Sequence, residues 1–211
     1  MRLRPPPGRA GRMWLLRRLA VAHRGKDVLE QKRRALRRRI EQIEEELAEA
    51  RREWESEAVE AETWWQRAAV LAGERPLELA RASSPGPAEI TITWRNTLGV
   101  VHPDSVDVAV PQGELFPAGG SVALAYAAQA HGRALEAAVR LGAVQTAHRR
   151  ASEELRSTTQ RLRAIERRWI PEHDRALAAL ELALDEADRE DTARVRWVVR
   201  RRDGGGILRR F

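Results

Sequence analysis

The stretch "LRRRIEQIEEELAEARREWESEAVEAETWWQRA", residues 36–68, decides the fold. Its apolar residues recur at alternating spacings of three and four, which is typical of a helix that pairs with another helix in a coiled coil. A double step of four at Ala50, Trp54 and Ala58 is a stutter, a place where a supercoil locally unwinds. The predicted seam of this first helix consists of Leu36, Ile40, Ile43, Leu47, Ala50, Trp54, Ala58, Ala61, Trp65 and Ala68.

A second seam lies in the C-terminal half, and it continues through a proline. In "RRWIPEHDRALAAL", residues 167–180, helix-forming residues surround Pro171. A proline inside a helix removes one backbone hydrogen bond and costs about 3 kcal/mol. The apolar phase nevertheless continues beyond it, and the double step Ile165–Trp169–His173 encloses it. We therefore predict that the helix bends or unwinds at Pro171 and does not end at Trp169. The second seam consists of Ala151, Leu155, Thr158, Leu162, Ile165, Trp169, His173, Ala176, Leu180, Ala183 and Ala187.

Glycine and proline residues place the helix ends. The first helix is predicted to run from about Gly11 to Ala72, where "GERP" (residues 73–76) supplies a glycine cap and a proline just beyond. The second helix is predicted to run from about Ser121 to Arg201.

Between the helices, "AEITITWRN" (residues 88–96) and "SVDVAVPQ" (residues 105–112) alternate apolar and polar residues in the strand period, which predicts a β-hairpin. The predicted fold is mainly α: a long antiparallel two-helix coiled-coil hairpin with a small β-hairpin inserted at the closed end. The predicted segments are a helix with a basic start at 1–74, a linker and β-hairpin at 75–120, a second helix at 121–202 and a flexible tail at 203–211.

Composition narrows the class of protein. Charged residues make up 33% of the chain and aromatic residues 5%, which is typical of long amphipathic helices. The absence of cysteine excludes disulfides and thiolate metal sites and fits a reducing compartment. No run of 18 apolar residues occurs, so we expect a soluble cytoplasmic chain. There is no GxxxxGK[ST] loop, the five histidines lack ligand spacing, and no paired carboxylates are evident, so no catalytic, metal or cofactor site is expected.

The charges lie in blocks. Residues 1–40 contain 14 Lys and Arg against two acids, residues 41–62 contain ten Glu against two Arg, and the chain from Arg194 contains seven Arg against one Asp. Antiparallel pairing would place the acidic block near the arginines of residues 150–180. It would also place the acids of residues 185–191 near Arg24 to Arg39, Trp54 near Trp169, and both basic termini at one tip.

The basic tip allows two interpretations from the residues alone. Trp14 and Trp197 lie among its arginines, and these residue types are enriched at interface hot spots. The alternative is a free-standing coiled-coil scaffold or a nucleic-acid-binding arm, although the tip has no groove-reading motif.

Three separated segments resemble one known family. "LLRRLAVAHRGKDVLEQKRRAL" (Leu15 to Leu36), "RNTLGVVHP" (Arg95 to Pro103) and "TQRLRAIERRWIPEHDRALAALELALDEADREDTARVR" (Thr159 to Arg196) are similar to motifs of the D subunit of V-type and archaeal-type rotary ATPases. They stand in the family's order and cover most of the chain. The residues that match the motifs are Arg24, Gly25, Lys32, Arg33, Asn96, Gly99, Pro103, Glu166, Ile170, Pro171, Asp185, Glu186, Arg189 and Glu190.

The resemblance implies a central rotor shaft that catalyses nothing itself and binds no cofactor or small-molecule ligand. The implied partners are a catalytic hexamer of A and B subunits, a small F subunit, and a funnel-like component above the membrane ring; nucleic acid is not expected. Rotation would couple ATP synthesis or hydrolysis to proton or sodium transport, with the chain peripheral on the cytoplasmic side of the membrane. The expected contacts with the hexamer are Arg12, Trp14, Leu15, Arg194, Arg196, Trp197 and Arg200.

The chain departs from the family's pattern at four places. Its start "PPPGRAGR" is atypical, and the family's "NALE" is "RAIE" at Arg163 to Glu166. An Asp common in the family is Arg34, and an apolar stretch is replaced by Arg167–Trp169. The change at Arg167–Trp169 predicts either pairing of the new arginines with the Glu-rich first helix or an altered surface for the F subunit.

Overall fold

A computed structural model describes residues 4–73, 75–76, 78–79, 86–111 and 121–205. Its elements are α1 (Gly8–Ala72), β1 (Glu89–Thr97), β2 (Val100–Ala109), α2 (Val122–Ala164), a π-helical turn (Ile165–Trp169) and α3 (Ile170–Gly205). The two strands form an antiparallel hairpin. The predicted fold class, long paired helices with a small β-hairpin between them in the chain, is confirmed.

Local capping explains where the helices begin and end. Gly73 adopts a positive φ of 73°, which is open to glycine, and its N–H donates to the Ala69 carbonyl at 3.3 Å, so α1 ends at Ala72. At the start of α2, the Ser121 hydroxyl accepts a hydrogen bond from the Ala123 N–H at 3.3 Å. α3 continues to Gly205, so residues 203–205 of the predicted tail are helical, while residues 206–211 lie outside the described part.

The chain forms two compact units. Unit one contains residues 1–31 and 158–211, and unit two contains residues 32–157. Both units therefore combine a piece of α1 with a piece of the C-terminal half, unlike the four segments of the sequence-based division.

Ion pairs show antiparallel pairing within each unit. In unit two, Glu44 contacts His148 at 3.5 Å and Glu53 contacts Arg140 at 2.6 Å. In unit one, Arg12 contacts Glu181 at 2.8 Å and Lys26 contacts Glu166 at 3.1 Å. The predicted orientation is confirmed in both units.

The predicted register was wrong. The acidic block meets Arg133, Arg140 and His148, which precede the expected range 150–180. The acidic residue Asp188 meets Arg9 at 4.0 Å, not the stretch from Arg24 to Arg39. The prediction failed because two seams that repeat every seven residues also match when one helix is shifted by whole heptads. The charges did not distinguish these alignments, since arginines occur along the whole second half of the chain.

Most seam positions lie in the interior. Leu36, Ile43 and Leu162 are at most 2% exposed. Three predicted seam positions are exposed instead: Trp54, at 37%, and Ala183 and Ala187 on α3. The remaining large seam residues Leu47, Leu155, Ile165 and Trp169 are half-buried, and Ile40 is buried.

The β-hairpin lies beside the helices of unit two. Leu98 and Gly99 form its turn, with φ of 56° and 81°, and a bulge follows Thr93. The Arg150 guanidinium donates to the Val101 carbonyl at 2.8 Å and lies 4.8 Å from the centre of the Trp94 ring. The hairpin is inserted in the sequence between α1 and α2, as predicted. Its strands pack beside Arg150 and not at the helix ends Ala72 and Val122, where the closed end was predicted to carry them.

Candidate partner-binding surface

The π-helical turn carries the second helix through Pro171. The Ile170 N–H donates to the Ile165 carbonyl, a bond five residues apart in place of four. A π-helical turn contains more residues than an α-helical turn. The residues Ile165, Trp169 and His173, which are spaced four apart, can therefore all face α1. Leu162 before the turn and His173 after it are both buried, at 0% and 3% exposure. The prediction that the helix unwinds locally and continues is confirmed.

An aromatic cluster forms around this turn in unit one. The Trp169 ring stacks on the His173 ring with centroids 3.5 Å apart, and His173 Nδ1 donates to the Trp169 carbonyl at 2.8 Å. The Arg18 guanidinium lies 4.5 Å from the centre of the Trp14 ring and 6.0 Å from that of Trp169. Cation–π attraction therefore holds Arg18 against two aromatic rings.

The cluster borders an open groove of about 640 Å³. Met13 and Val21 on its wall are 49% and 65% exposed, whereas Trp14 and Trp169 are half-buried. We call this surface the tryptophan groove; its lining residues are Pro6, Ala10, Met13, Trp14, Arg17, Arg18, Val21 and Trp169.

Three of the six Lys and Arg side chains of α1 in unit one pair with carboxylates of α3 or the π turn, and one of them is Arg9, which lies 4.0 Å from Asp188. Arg12 and Lys26 pair with Glu181 and Glu166, and the hydrogen bond and charge of Glu166 raise the pKa of Lys26 above its ordinary value. Arg17 and Arg18 differ, because no described residue offers either of them a carboxylate.

The last part of α3 has no described partner helix. Every residue from 185 to 202 is exposed, including Val195, Val198 and Trp197, the last at 59%. The ion pairs of Arg194 are with Glu190 and Asp191, one turn earlier on the same helix. Exposed apolar residues on a lone helix mark a surface that another protein can cover.

Residues 13–200 match the family model that describes the D subunit of ATP synthase. The chain belongs to the ATP synthase D-subunit family. It is similar to the A-type ATP synthase D subunit of Pyrococcus horikoshii, with 32% identity over 202 residues that cover 93% of this chain and 94% of that protein. It is also similar to the A-type D subunit of Thermococcus gammatolerans, at 29% identity with 91% and 92% covered, and to the V-type ATP synthase D subunit of an Anaeromyxobacter species, at 26% with 92% and 92% covered. The resemblance seen in the three sequence segments is confirmed.

The family motifs meet one another within each unit. In unit two, the Lys32 ammonium pairs with Glu154 at 2.6 Å and lies near Gly99 of the hairpin turn. In unit one, the pair Lys26–Glu166 joins the first and third motifs. These motif residues therefore serve internal packing here. The other motif residues lie on α1 (Arg24, Gly25, Arg33), in the hairpin (Asn96, Pro103), in or just after the π turn (Ile170, Pro171) and on exposed α3 (Asp185, Glu186, Arg189, Glu190).

The expected hexamer contacts fall into three environments. Leu15 is 0% exposed and packs inside unit one, so it is not accessible to a partner. Arg12 is bonded to Glu181, while Trp14 lines the tryptophan groove. The other expected contacts lie together on the exposed end of α3, namely Arg194, Arg196, Trp197 and Arg200.

The sequence did not single out Arg17, Arg18 and Met13. The available signal was a pair of adjacent arginines between Leu15 and Leu19, which are buried. The sequence does not show that these arginines border a groove, because the groove forms only where Trp169 of the π turn lies opposite them.

One of the two arginines that replace the family's apolar stretch pairs within its own helix. Arg168 pairs with Glu172 at 3.3 Å, one turn along the chain. The predicted pairing with the Glu-rich part of α1 is not seen for Arg168, and the other predicted outcome, an altered surface for the F subunit, stays a prediction.

Two further observations concern other classes of site. In the described ranges, no three His, Asp or Glu residues cluster as metal ligands. No helix in the same ranges is long and apolar enough to cross a bilayer.

Proposed function

We propose that this chain is the central stalk of an A/V-type ATP synthase, a rotor shaft whose terminal end sits inside a hexamer of A and B subunits. The observation that carries the proposal is the lone end of α3, exposed from 185 to 202 with valines and Trp197 on its surface. A helix with exposed apolar residues is stabilised when another protein covers it. Because the chain belongs to the D-subunit family, the complex that would cover this helix is an ATP synthase.

Continuity of the helices supports a mechanical role. α1 is uninterrupted from Gly8 to Ala72, and the π turn joins α2 to α3 without a gap at Pro171. Helices held by packing and cross-helix ion pairs resist twisting better than loops do. The shaft would couple ATP synthesis or hydrolysis in the hexamer to proton or sodium transport through the membrane ring.

The remaining partners and the absence of chemistry belong to the same proposal. A small F subunit binds the shaft, a funnel-like component connects it to the membrane ring, and the complex keeps it peripheral on the cytoplasmic side. Nucleotides are bound and hydrolysed by the hexamer, so the shaft itself carries no active site and no cofactor.

The test is a chain that ends at Arg194. It lacks Val195 and everything after it, so folding is expected to be unchanged because the removed described residues are exposed. Coupling is expected to fall, measured as ions transported per ATP hydrolysed in reconstituted complexes. The melting temperature of the isolated chain is the control. Unchanged coupling in the shortened complex would contradict the proposal.

The alternative, a scaffold or nucleic-acid-binding arm, predicts a different result. Binding to DNA or RNA would weaken steeply with salt, with a slope that reflects several phosphates. A pull-down from native membranes that recovers nucleic acid and no nucleotide-binding subunits would favour it.

A further inference from the structure

We propose that the tryptophan groove binds an acidic segment of the surrounding hexamer, a loop or helix turn that carries a carboxylate beside an apolar side chain. This inference rests on the proposed shaft function. It deepens that function by assigning a binding site, with a stated chemistry, at the π turn and apart from the exposed end of α3.

The apolar half of the site is the wall of the groove. Met13 and Val21 are 49% and 65% exposed although they flank the buried seam residues Leu15 and Leu19. With the half-buried rings of Trp14 and Trp169, they form the apolar part of the wall of this groove of about 640 Å³. Its volume lies within the range of clefts that bind ligands, so side chains of a partner fit into it.

The charged half of the site is the pair Arg17 and Arg18. Neighbouring cations are satisfied internally, Arg12 by Glu181 and Lys26 by Glu166. No described carboxylate pairs with Arg17 or Arg18, so the groove keeps a positive charge that a partner carboxylate complements.

Arg18 is held in a suitable orientation. Its guanidinium lies 4.5 Å from the centre of the Trp14 ring. An arginine against an aromatic face keeps the N–H groups at its edge available, and these donate in pairs to a carboxylate.

The groove is built from rigid parts. His173, 3% exposed, stacks beneath Trp169 and fixes that ring at the π turn. On the other wall, Gly11 allows Pro6 to pack against α1, because a Cβ at this position would overlap the Pro6 carbonyl oxygen. Rigid walls reduce the entropy lost when a partner binds.

An acidic protein segment fits better than a nucleic acid. Nucleic-acid grooves present a row of cations that follows successive phosphates. Here two guanidinium groups stand beside methionine, valine and proline, which suits one carboxylate and one apolar side chain.

The first experiment compares two double charge reversals in the full chain, with the purified A/B hexamer as the probe. R17E/R18E alters the groove; R51E/R52E makes the same charge change at two exposed neighbours on α1. The expected dissociation constant for the hexamer rises at least about tenfold for R17E/R18E and less than about twofold for R51E/R52E. Helicity and melting temperature check folding, and the milder variant R17Q/R18Q replaces the reversal if that chain does not fold.

The second experiment identifies the bound segment. A photo-crosslinking amino acid at Met13 is expected to capture a hexamer peptide with Asp or Glu within a few residues of an apolar side chain. The same group at Val59, 67% exposed on α1, is the control and is not expected to capture that peptide.

The outcomes separate the two proposals. If the unmodified chain does not bind the hexamer, the shaft function fails. If it binds and R17E/R18E binds equally well, or if the captured peptide has no carboxylate, the groove proposal is overturned and the shaft function stands. Capture of nucleic acid at Met13 also overturns it.

Discussion

The two compact units pair helices in the same orientation but with different interiors. Unit two is closed by alanines next to the helix ends at Ala72 and Val122, where Ala61, Ala68, Ala130 and Ala137 are each at most 3% exposed, and by Leu36 and Ile43 further along α1. Unit one has Leu15 and Leu162 in its interior and contains the aromatic stack at the π turn.

The difference shows two ways of closing a helix pair. Where alanines close unit two, the two helices can approach closely, and ion pairs flank the seam, such as Arg133 with Glu57 at 2.9 Å and Glu60 at 2.8 Å. The carboxylates also raise the pKa of Arg133. In unit one the second helix contains the π turn, just before Pro171.

The largest expected effect is the loss of a large side chain from unit one. Leu162→Ala should lower the free energy of unfolding by about 2–5 kcal/mol, because it leaves a cavity at a fully buried position. Leu182→Ala, at a position 67% exposed, is the matched control and should change it by less than about 0.5 kcal/mol. Chemical denaturation measures both, and equal effects would contradict the assigned interior.

The next effect concerns proline in regular and π-helical turns. Ala178→Pro, in the regular part of α3, should destabilise the chain by about 3 kcal/mol. Pro171→Ala should change stability by less than about 1 kcal/mol, because the π turn already accommodates the missing N–H. A stabilisation of several kcal/mol on removing Pro171 would show that the turn does not relieve the strain.

The opposite change tests the alanine interior of unit two. Ala130→Leu should cost about 1–3 kcal/mol, since the position is 0% exposed and extra methylene groups force the helices apart. Ala128→Leu, on the exposed side of the same turn, should be within about 0.5 kcal/mol of the original. Thermal melting of the two variants distinguishes them, and a leucine tolerated at the buried position would indicate a looser seam.

The smallest effect is a pH dependence in unit one. Glu166 raises the pKa of Lys26 above 10.5 in the folded chain, so the stabilisation from this pair is complete below 10.5 and is lost as the pH rises through the raised pKa. Lys26→Gln should therefore melt lower than the original chain at pH 9, and the difference should shrink at more alkaline pH. A difference that does not depend on pH would assign the effect to packing.

Sequence reasoning succeeded where a local pattern carries the information. The heptad spacing identified both helices, and the uninterrupted phase from Leu162 to His173 showed that Pro171 does not end the second one. The alternation in "AEITITWRN" identified the hairpin. Three motifs in order identified the family.

It failed where the answer depended on which residues face each other. The register was misplaced because charges alone match in several alignments. The helix ends at Ala72 and Val122 predict the register better. The pairing of α1 with α2 begins at these two residues, so the facing positions are found by counting residues away from them along each helix. Trp54 was assigned to the seam by its spacing, yet its side chain is 37% exposed.

The sequence by itself determined the helical class, the orientation of the helices, the passage through Pro171 and membership of the ATP synthase D-subunit family. These follow from periodicity and motifs, which are properties of one chain segment at a time. Only the tertiary structure decided the register, the place of the hairpin beside Arg150, and the tryptophan groove. The groove depends on Trp14, Arg18 and Trp169 being brought together from opposite halves of the chain, and no local pattern records that distance.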